Sequence, residues 1–290
     1  MNGLVTKGIG GFYYVSLEDG QVVRAKGRGL LKRDGASLLV GDRVMVEIRE
    51  DGDSWITELL PRKNQFIRPP ISNIDVFAIV MAPTQPKVNF QLLDKFLIMA
   101  ERAKANVIIC FNKADLADDG FVNEVEKAYS QSYKILWLEA TSGKGVHELM
   151  HSIEKNQSLA LAGPSGVGKS TIINALIPEA TMETGDVSQK TRRGKHTTRH
   201  VEIFPLGEGF IFDTPGFTSF EILDVDKWEL GSYYEEFGHY GQCKFKDCLH
   251  RNEPECKVIE AVNKGLISKV RYQSYLANLD ECEKERKKFK

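Results

Sequence analysis

Three short motifs in this sequence have the residue types that bind guanine nucleotides, but they occur in an unusual order. NKAD comes first, at residues 112–115. GPSGVGKS follows at residues 163–170, and DTPG comes last, at residues 213–216. In an ordinary GTPase the phosphate loop comes first and the base-reading motif comes last. The changed order predicts a single nucleotide-binding domain whose chain has been circularly permuted.

The middle motif matches G-x-x-x-x-G-K-[ST], the pattern of a phosphate-binding loop. Its glycines let backbone N–H groups turn toward phosphates, Lys169 can reach the β- and γ-phosphates, and the Ser170 hydroxyl can bind Mg²⁺. The apolar residues 157–162 predict a buried strand before the loop. Residues 170–176 predict a helix whose N-terminus holds the anion. This context favours a phosphate site over a glycine-rich turn that binds nothing.

The first motif can select the base. Asp115 can only accept hydrogen bonds, so it fits the N1–H and N2–H donors of guanine and is mismatched with adenine. The Asn112 side-chain amide can hydrogen-bond the N7/O6 side of the base, and the aliphatic stem of Lys113 can cover the ring. The motif follows an apolar run at residues 106–111, which predicts a parallel strand with the site at its carboxyl end. Residues 141–144, Thr-Ser-Gly-Lys, resemble the small loop that supports guanine through backbone contacts.

The last motif predicts a switch that detects the γ-phosphate. Asp213 can hold a Mg²⁺-bound water, and the Gly216 N–H can contact the γ-phosphate. Between the phosphate loop and this motif lies a basic stretch at residues 188–200, which suits a loop ordered by the γ-phosphate and Mg²⁺. Either Thr197 or Thr198 is expected to bind the metal, and the sequence does not choose between them.

One departure from common GTPases bears on hydrolysis. Many GTPases place a glutamine just after DxxG to orient the attacking water, whereas this chain has Phe217, which cannot hydrogen-bond water. We therefore expect slow unaided hydrolysis. His196 is the best local candidate to position water. The alternative is that His196 contacts phosphate or RNA, or has no ligand.

Composition limits the class of protein. The chain has 290 residues, 42% of them hydrophobic, and a formal net charge of −1, so nucleic-acid contacts must come from local basic patches. We expect no membrane span, because no apolar run of the necessary length is present. Five cysteines without a secretory signal predict a reducing, cytoplasmic location. We expect a monomer that does not bind membranes.

The pattern along the chain predicts a multidomain α/β protein. Residues 1–66 have short strands and turns typical of an OB-like, RNA-binding β-barrel. Residues 67–222 alternate strand and helix, as in a parallel-sheet P-loop GTPase domain, with residues 62–70 as the linker. We expect residues 223–290 to form a C-terminal α-helical zinc-binding domain, on the evidence of the cysteine cluster described next. In the barrel, Lys26 and the three aromatic residues at 12–14 could meet RNA, although we expect two of those rings to fill the core.

A cluster of cysteines in the C-terminal domain has the spacing C-x4-C-x-H-x5-C. Its four candidate ligands are Cys243, Cys248, His250 and Cys256. Three sulfurs and one imidazole complete a tetrahedral Zn²⁺ site, which leaves no open position and is therefore structural rather than catalytic. The alternative is a set of unlinked, reduced cysteines. Cys110, in a predicted buried strand, and Cys282 are expected to have no special role.

The permuted motifs, the sequence Lys-His-Thr-Thr at residues 195–198 and the zinc spacing together resemble the RsgA family of ribosome small-subunit-dependent GTPases, also called YjeQ or YloQ. The resemblance covers essentially the whole chain. It implies a cytoplasmic GTPase that acts in late maturation of the small ribosomal subunit, binds that subunit and its rRNA, and promotes the release of assembly factors. The alternative is a GTP-gated rRNA-binding adaptor with negligible hydrolysis.

The resemblance also implies roles for individual residues. His196 matches the switch histidine to which hydrolysis is attributed. The phosphate-loop and DxxG motifs add Lys169 and Gly216 to the predicted catalytic set. The four residues of the zinc cluster are the implied zinc ligands. The residues that the resemblance implies in binding GTP are Asn112, Lys113, Ala114, Asp115, Gly163, Pro164, Ser165, Gly166, Val167, Gly168, Lys169, Ser170 and Thr171. The motifs themselves add Ser142, Thr197, Thr198 and Asp213 to the residues expected to bind GTP with its Mg²⁺.

Overall fold

The computed structural model describes residues 1–27, 37–49, 53–66, 69–177, 201–213 and 225–288, without the side chains of 213 and 285–288. His196, Thr197, Thr198, Gly216 and Phe217 therefore lie outside the described residues. No helix in the described part of the chain has both the length and the apolar character needed to cross a membrane.

The N-terminal domain is a closed five-stranded barrel, as the sequence predicts. Its strands are β1 (Asn2–Ile9), β2 (Phe12–Leu17), β3 (Val22–Gly27), β4 (Arg43–Glu47) and β5 (Ser54–Leu59). The barrel closes because β1 pairs with both β2 and β4. Alternation along the strands points small apolar side chains inward. These residues form the barrel core: Val5, Val15, Leu17, Ala25, Val44, Val46 and Ile56.

The three aromatic residues of β2 do not fill this core as expected. All three are only partly buried. Tyr13 packs against the core from its edge. The Phe12 ring instead makes cation–π contacts. The Arg24 Cζ atom lies 4.8 Å and the Lys26 Nζ atom 4.6 Å from its centroid. Period-two alternation points Tyr13, Val15 and Leu17 to the same face, but only Val15 and Leu17 are buried in the core, because the interior of a small barrel has little room for a large ring.

Side-chain hydrogen bonds attach the segment after the barrel, residues 62–72, to the barrel domain. Strands β6 (Gln65–Phe66) and β7 (Ile71–Ser72) pair as a short hairpin within the predicted linker. Arg62 donates to both oxygens of the fully buried Asp42, at 2.7 and 2.8 Å, and Ser72 Oγ donates to the same carboxylate at 2.6 Å. A buried charge with this many donors fixes local geometry. The barrel is thereby held against the start of the next domain.

The second domain is a six-stranded sheet in the order β10-β9-β8-β11-β13-β12, parallel except for β12. Its strands are β8 (Val76–Met81), β9 (Asn106–Asn112), β10 (Lys134–Leu138), β11 (Ser158–Ala162), β12 (Glu202–Leu206) and β13 (Gly209–Asp213). Its helices are α1 (Phe90–Arg102), α2 (Asp119–Tyr129), α3 (Val146–His151) and α4 (Lys169–Leu176). Two apolar clusters cover the sheet, and the alternation of strand and helix is the one the sequence predicts.

The sheet of the second domain continues into the barrel. Strand β12 pairs antiparallel with β1, with Lys7 opposite Glu202 and their side chains 2.9 Å apart. The two domains therefore share one 11-stranded hydrogen-bonded sheet.

The C-terminal domain is helical and has its own core. Its helices are α5 (Glu235–Gly238), α6 (Lys257–Asn263) and α7 (Lys269–Lys288), preceded by a 3₁₀ turn at Leu230–Tyr233. Helix α7 packs on α1 of the second domain, where Ser274 Oγ donates to the Phe90 carbonyl at 3.1 Å. The apolar cluster of this domain includes the side chain of Ile98 from α1. The C-terminal domain therefore packs directly against the nucleotide-binding domain through α1.

Candidate functional site

The described residues of the three nucleotide motifs lie at the carboxyl edge of the parallel sheet. NKAD begins at the last residue of β9, the phosphate loop follows β11, and Asp213 is the last residue of β13. The loop at residues 139–144 follows β10 at the same edge. Open parallel sheets bind ligands at this edge. The permuted order along the chain is therefore compatible with one site.

Asn112 joins three of these loops. Its side-chain amide donates to the Val167 carbonyl of the phosphate loop at 2.9 Å. Its side-chain oxygen accepts from the Ala140 N–H at 3.0 Å. The residue is only 3% exposed, so these bonds are made away from water. Asn112 therefore fixes the base-reading motif, the phosphate loop and the 139–144 loop relative to one another.

The phosphate loop needs glycine at two positions where other groups approach closely. A Cβ on Gly163 would lie 2.0 Å from the Val80 carbonyl oxygen, and one on Gly168 would lie 2.3 Å from Asn112 Nδ2. Both residues also have positive φ, at 142° and 95°. Only glycine adopts such backbone conformations without a steric cost. The loop is thus packed against its supports on one side, while Ser165 and Gly166 are exposed on the other.

Lys169 lies at the start of α4 with its ammonium folded back into the phosphate loop. Its Nζ donates to the carbonyls of Gly163 at 2.7 Å and Pro164 at 2.8 Å. The positive charge therefore sits within the ring of backbone that a phosphate would enter. Ser170 follows it and is exposed, so its hydroxyl is accessible to a metal ion. Together with the glycine packing, this arrangement fits a bound polyphosphate.

The base-reading residues occupy a tight turn after β9. Lys113 has a left-handed backbone, with φ of 60°, and Asp115 is exposed in the 3₁₀ turn Ala114–Leu116. Lys113 Nζ donates to the Gln85 carbonyl at 2.6 Å. The adjacent Pro86 approaches the position of a Gly166 Cβ to 3.6 Å. The loop after β8 thus closes one side of the site.

Neither this loop nor Glu139 was found from sequence. The available signal was positional, since the Pro-Thr-Gln-Pro run at residues 83–86 ends a buried strand of the same sheet. Glu139 holds the 139–144 loop through Lys144, whose Nζ lies 2.7 Å from its carboxylate. Hydrogen bonding from Lys144 lowers the pKa of Glu139 below its usual value. Ser142 is exposed in this loop and donates through Oγ to the Glu139 carbonyl at 3.1 Å.

The four candidate zinc ligands converge in the C-terminal domain. Their ligand atoms all lie within 4.8 Å of one another. Cys256 Sγ is 3.7 Å from Cys243 Sγ and 3.3 Å from His250 Nδ1, and the Cys243–His250 distance is 3.5 Å. A tetrahedron with Zn–S bonds of about 2.3 Å has edges of roughly 3.5–3.8 Å. Together with Cys248, these residues therefore fit a four-coordinate Zn²⁺.

Hydrogen bonds around the cluster hold its backbone. Glu253 accepts backbone N–H bonds from Leu249 and Arg251, each at 2.8 Å. Tyr272 donates to the His250 carbonyl at 2.7 Å, and Tyr275 donates to the Leu249 carbonyl at 2.6 Å. Both tyrosines belong to α7, so the same helix supports the cluster and contacts the nucleotide-binding domain. Such supporting partners orient metal ligands.

Comparisons with known proteins cover the whole chain. A family model described as RsgA GTPase matches residues 59–223, and one described as RsgA N-terminal domain matches residues 2–56. A relative from Caldanaerobacter subterraneus subsp. tengcongensis, named small ribosomal subunit biogenesis GTPase RsgA, is 42% identical, covering 100% of this chain and 99% of its own. A relative of the same name from Agathobacter rectalis is 41% identical and covers 100% of both chains.

Two solved structures share the fold over nearly their full lengths. The crystal structure of YjeQ from Thermotoga maritima has a TM-score of 0.83 and 35% identity, covering 97% of this chain and 98% of its own. YloQ, described as a circularly permuted GTPase, has a TM-score of 0.80 and 31% identity, covering 98% and 95%. The similarity therefore extends over all three domains.

Proposed function

The chain belongs to the RsgA GTPase family, and on that premise we propose that it hydrolyses GTP while bound to the small ribosomal subunit during that subunit's biogenesis. Family membership makes it a GTP-hydrolysing enzyme with a circularly permuted domain. Its relatives are named small ribosomal subunit biogenesis GTPases, which is the basis for proposing that this chain acts on the small subunit. The alternative of a GTP-gated adaptor with negligible hydrolysis is not favoured, because those relatives are GTPases by name.

The guanine base enters beside Asp115, whose exposed carboxylate accepts from N1–H and N2–H. Lys113, held at the Gln85 carbonyl, covers the ring with its stem. Asn112 supports this pocket through its bonds to the two neighbouring loops. Ala114 and Ser142 complete the pocket wall through their backbones. Selection of guanine over adenine follows because adenine offers no donor at N1.

The phosphates lie in the loop at residues 163–171, where backbone N–H groups and Lys169 face them. Ser170 and Asp213 would hold Mg²⁺, Asp213 through a water, with Thr197 or Thr198 as the threonine ligand. When bound, the ion neutralises charge on the phosphate oxygens. Lys169 stabilises charge developing on the transferred group, the Gly216 N–H contacts the γ-phosphate, and His196 orients water in the absence of the usual glutamine.

Zinc has a structural role in this proposal. Cys243, Cys248, His250 and Cys256 would hold one Zn²⁺ in a closed set that leaves no open position, and its role would be to stabilise the C-terminal domain. The geometry of the four ligand atoms supports this assignment. Because the DxxG motif leads directly into this domain, a change at Gly216 can move it.

In the cell the protein acts in the cytoplasm as a monomer. The barrel and the C-terminal domain contact rRNA on the small subunit, the subunit stimulates GTP hydrolysis, and hydrolysis releases the protein and other assembly factors. The single observation that carries the GTPase assignment is Asn112, which bonds the base-reading motif to the phosphate loop across the permuted order.

The test is GTP turnover measured against increasing amounts of purified small subunits. We expect low turnover of the free protein and a saturable increase with subunits, with a Lys169→Ala variant inactive under both conditions. Large subunits serve as the specificity control. Turnover that small subunits leave unchanged would contradict the proposed setting, and equal binding of GTP and ATP would contradict the guanine site.

A further inference from the structure

The loop after β8, residues 82–89, contacts both halves of the nucleotide site. The Gln85 carbonyl accepts a hydrogen bond from Lys113 Nζ of the base-reading motif at 2.6 Å. On the adjacent residue, Pro86 Cδ lies 3.6 Å from the position that a Cβ on Gly166 of the phosphate loop would take. Two consecutive residues of one loop therefore contact the base-reading motif and the phosphate loop.

Gln85 makes its contact with Lys113 through the main chain. Its side chain is exposed and has no hydrogen-bond partner among the residues that the structure describes. Its backbone is left-handed, with φ of 51°. Glycine adopts this region freely, most other residues adopt it at a cost, and β-branched residues adopt it only rarely. The position of the carbonyl therefore depends on a backbone conformation that a substitution at residue 85 can make easier or harder to adopt.

The hydrogen bond fixes the far end of the Lys113 side chain. Lys113 belongs to the turn after β9, so its aliphatic stem runs from that turn to the loop after β8. A free lysine side chain loses rotamer freedom when it is ordered against a ligand. An anchored lysine has already lost that freedom in the free protein, so less free energy is lost on binding. Anchoring at Gln85 should therefore raise the affinity for a base that the stem covers.

We propose that Gln85 is a positioning residue for guanine binding, whose main-chain carbonyl anchors the Lys113 ammonium and so holds the lysine stem in place before the nucleotide arrives. The side chain at residue 85 has no part in this role, and a residue that tolerates a left-handed backbone can replace it. Because Pro86 lies beside Gly166, the anchor is also fixed relative to the phosphate loop. This proposal rests on the proposed function, since it assigns a positioning role within the same guanine site.

Two substitutions at residue 85 test the main-chain role by calorimetric titration with GDP. Gln85→Val introduces a β-branched residue that disfavours the left-handed backbone, so the loop should shift and the carbonyl should move away from Lys113. We expect GDP affinity to fall about three- to tenfold, the scale of ordering one lysine side chain. Gln85→Gly keeps the carbonyl and favours the same backbone, so it should bind GDP as tightly as the wild type does. A loss for Q85G as large as that for Q85V would overturn the main-chain role.

A double variant separates the anchoring of Lys113 from general damage to the loop. Lys113→Met keeps a long apolar stem but has no ammonium to donate, so it should bind GDP more weakly than the wild type does. If Gln85 acts by anchoring Lys113, Q85V/K113M should bind GDP as well as K113M alone. If the loss caused by Q85V persists in the K113M background, Gln85 supports only the loop and the proposal is wrong.

Lys104→Val is the matched control for the strain that valine introduces. Lys104 is exposed, has φ of 53°, and lies between the end of α1 and the start of β9, at the amino edge of the sheet. This variant should be less stable to urea but should bind GDP as the wild type does. A loss of GDP affinity in K104V equal to that in Q85V would overturn the proposal, and so would an unchanged affinity in Q85V. Failure of the wild-type protein to prefer GDP over ADP would instead overturn the proposed function.

Discussion

Arg271 Nη1 lies 2.5 Å from Asp94 Oδ1, and this ion pair joins helix α7 of the C-terminal domain to helix α1 of the nucleotide-binding domain. Arg271 also donates to both carboxylate oxygens of Glu236, at 2.7 and 3.1 Å. Its guanidinium lies between the rings of Tyr129 and Tyr234, 5.0 and 4.5 Å from their centroids. The orientation of the C-terminal domain therefore depends on a buried arginine.

Replacing that arginine should destabilise the protein strongly. Arg271→Met fills similar volume but leaves Asp94, which is fully buried, without its cation. Removing one partner of a buried ion pair costs about 3–5 kcal/mol of unfolding free energy. Urea unfolding followed by tryptophan fluorescence measures this loss.

The control for Arg271→Met is Lys264→Met, which breaks a solvent-exposed pair with Glu260 on α6 and should change the stability little. A loss for R271M as small as that of K264M would show that the buried ion pair does not hold the domains together.

Much of the fold could be predicted from the sequence because the relevant signals are local. The strand predicted from the apolar run at residues 106–111 is β9 (Asn106–Asn112), and the helix predicted at residues 170–176 is α4 (Lys169–Leu176). The convergence of the four candidate zinc ligands could be predicted from spacing alone, since the chain concentrates them within 14 residues.

Long-range contacts could not be predicted. Asp94 stands beside apolar residues in α1, and a helical pattern assigns an aspartate to the solvent face. It is buried because Arg271 reaches it from 177 residues away. The sequence marks Asn112 as a base-binding residue but not as the residue that joins the loops, because its partners Val167 and Ala140 belong to other loops. Sequence gives the residue types of a site, whereas tertiary packing decides which of them meet.

Asn112→Ala should weaken the nucleotide site without changing its selectivity. The variant leaves the Val167 carbonyl and the Ala140 N–H buried without these partners, at a cost of about 1–3 kcal/mol. The affinities for GDP and XDP should fall together, as measured by calorimetry. Asn106→Ala, at the exposed start of the same strand, is the control and should bind as the wild type does. Unchanged affinities for both nucleotides would mean that Asn112 does not support the site.

Asp115→Asn, in contrast to Asn112→Ala, should change the base selectivity of the site. It replaces one acceptor oxygen with a donor, so that preference shifts from guanine toward xanthine nucleotides, with a loss of GTP affinity of about 10- to 100-fold. Because Asp115 is exposed, unfolding should change little. Asp119→Asn, an exposed position at the start of α2, provides the comparison. Retained GTP preference in the Asp115 variant would remove this residue from base selection.

The C-terminal domain should depend on zinc independently of nucleotide binding. Metal analysis should find about one zinc per chain. Cys248→Ala should lose it and expose residues after about 230 to proteolysis. GDP affinity should be nearly unchanged, because the cores flanking the sheet are separate from that of the C-terminal domain. The control variant Cys282→Ala should retain its zinc. If wild-type protein purified without chelators contains no zinc, the assignment is refuted.

His196 carries the sharpest prediction about catalysis. Phe217 stands where many GTPases have the glutamine that orients water, so another group must supply that function. His196 precedes the threonines expected to bind Mg²⁺, and an imidazole can accept a proton or hold water at neutral pH. Stimulation by the small subunit is then explained if the subunit holds this histidine in position.

His196→Ala should keep GTP affinity and small-subunit binding but lose about 10²-fold or more of the stimulated turnover, the scale of one positioned acid–base group. The measurement is single-turnover hydrolysis at saturating small subunits, because it separates chemistry from product release. His200→Ala, four residues along the same basic stretch, is the matched control and should retain most of the stimulated rate. If the two variants lose turnover equally, the stretch acts through its charge on RNA. If His196→Ala hydrolyses GTP at the wild-type rate, the ribosome itself supplies the group that positions water.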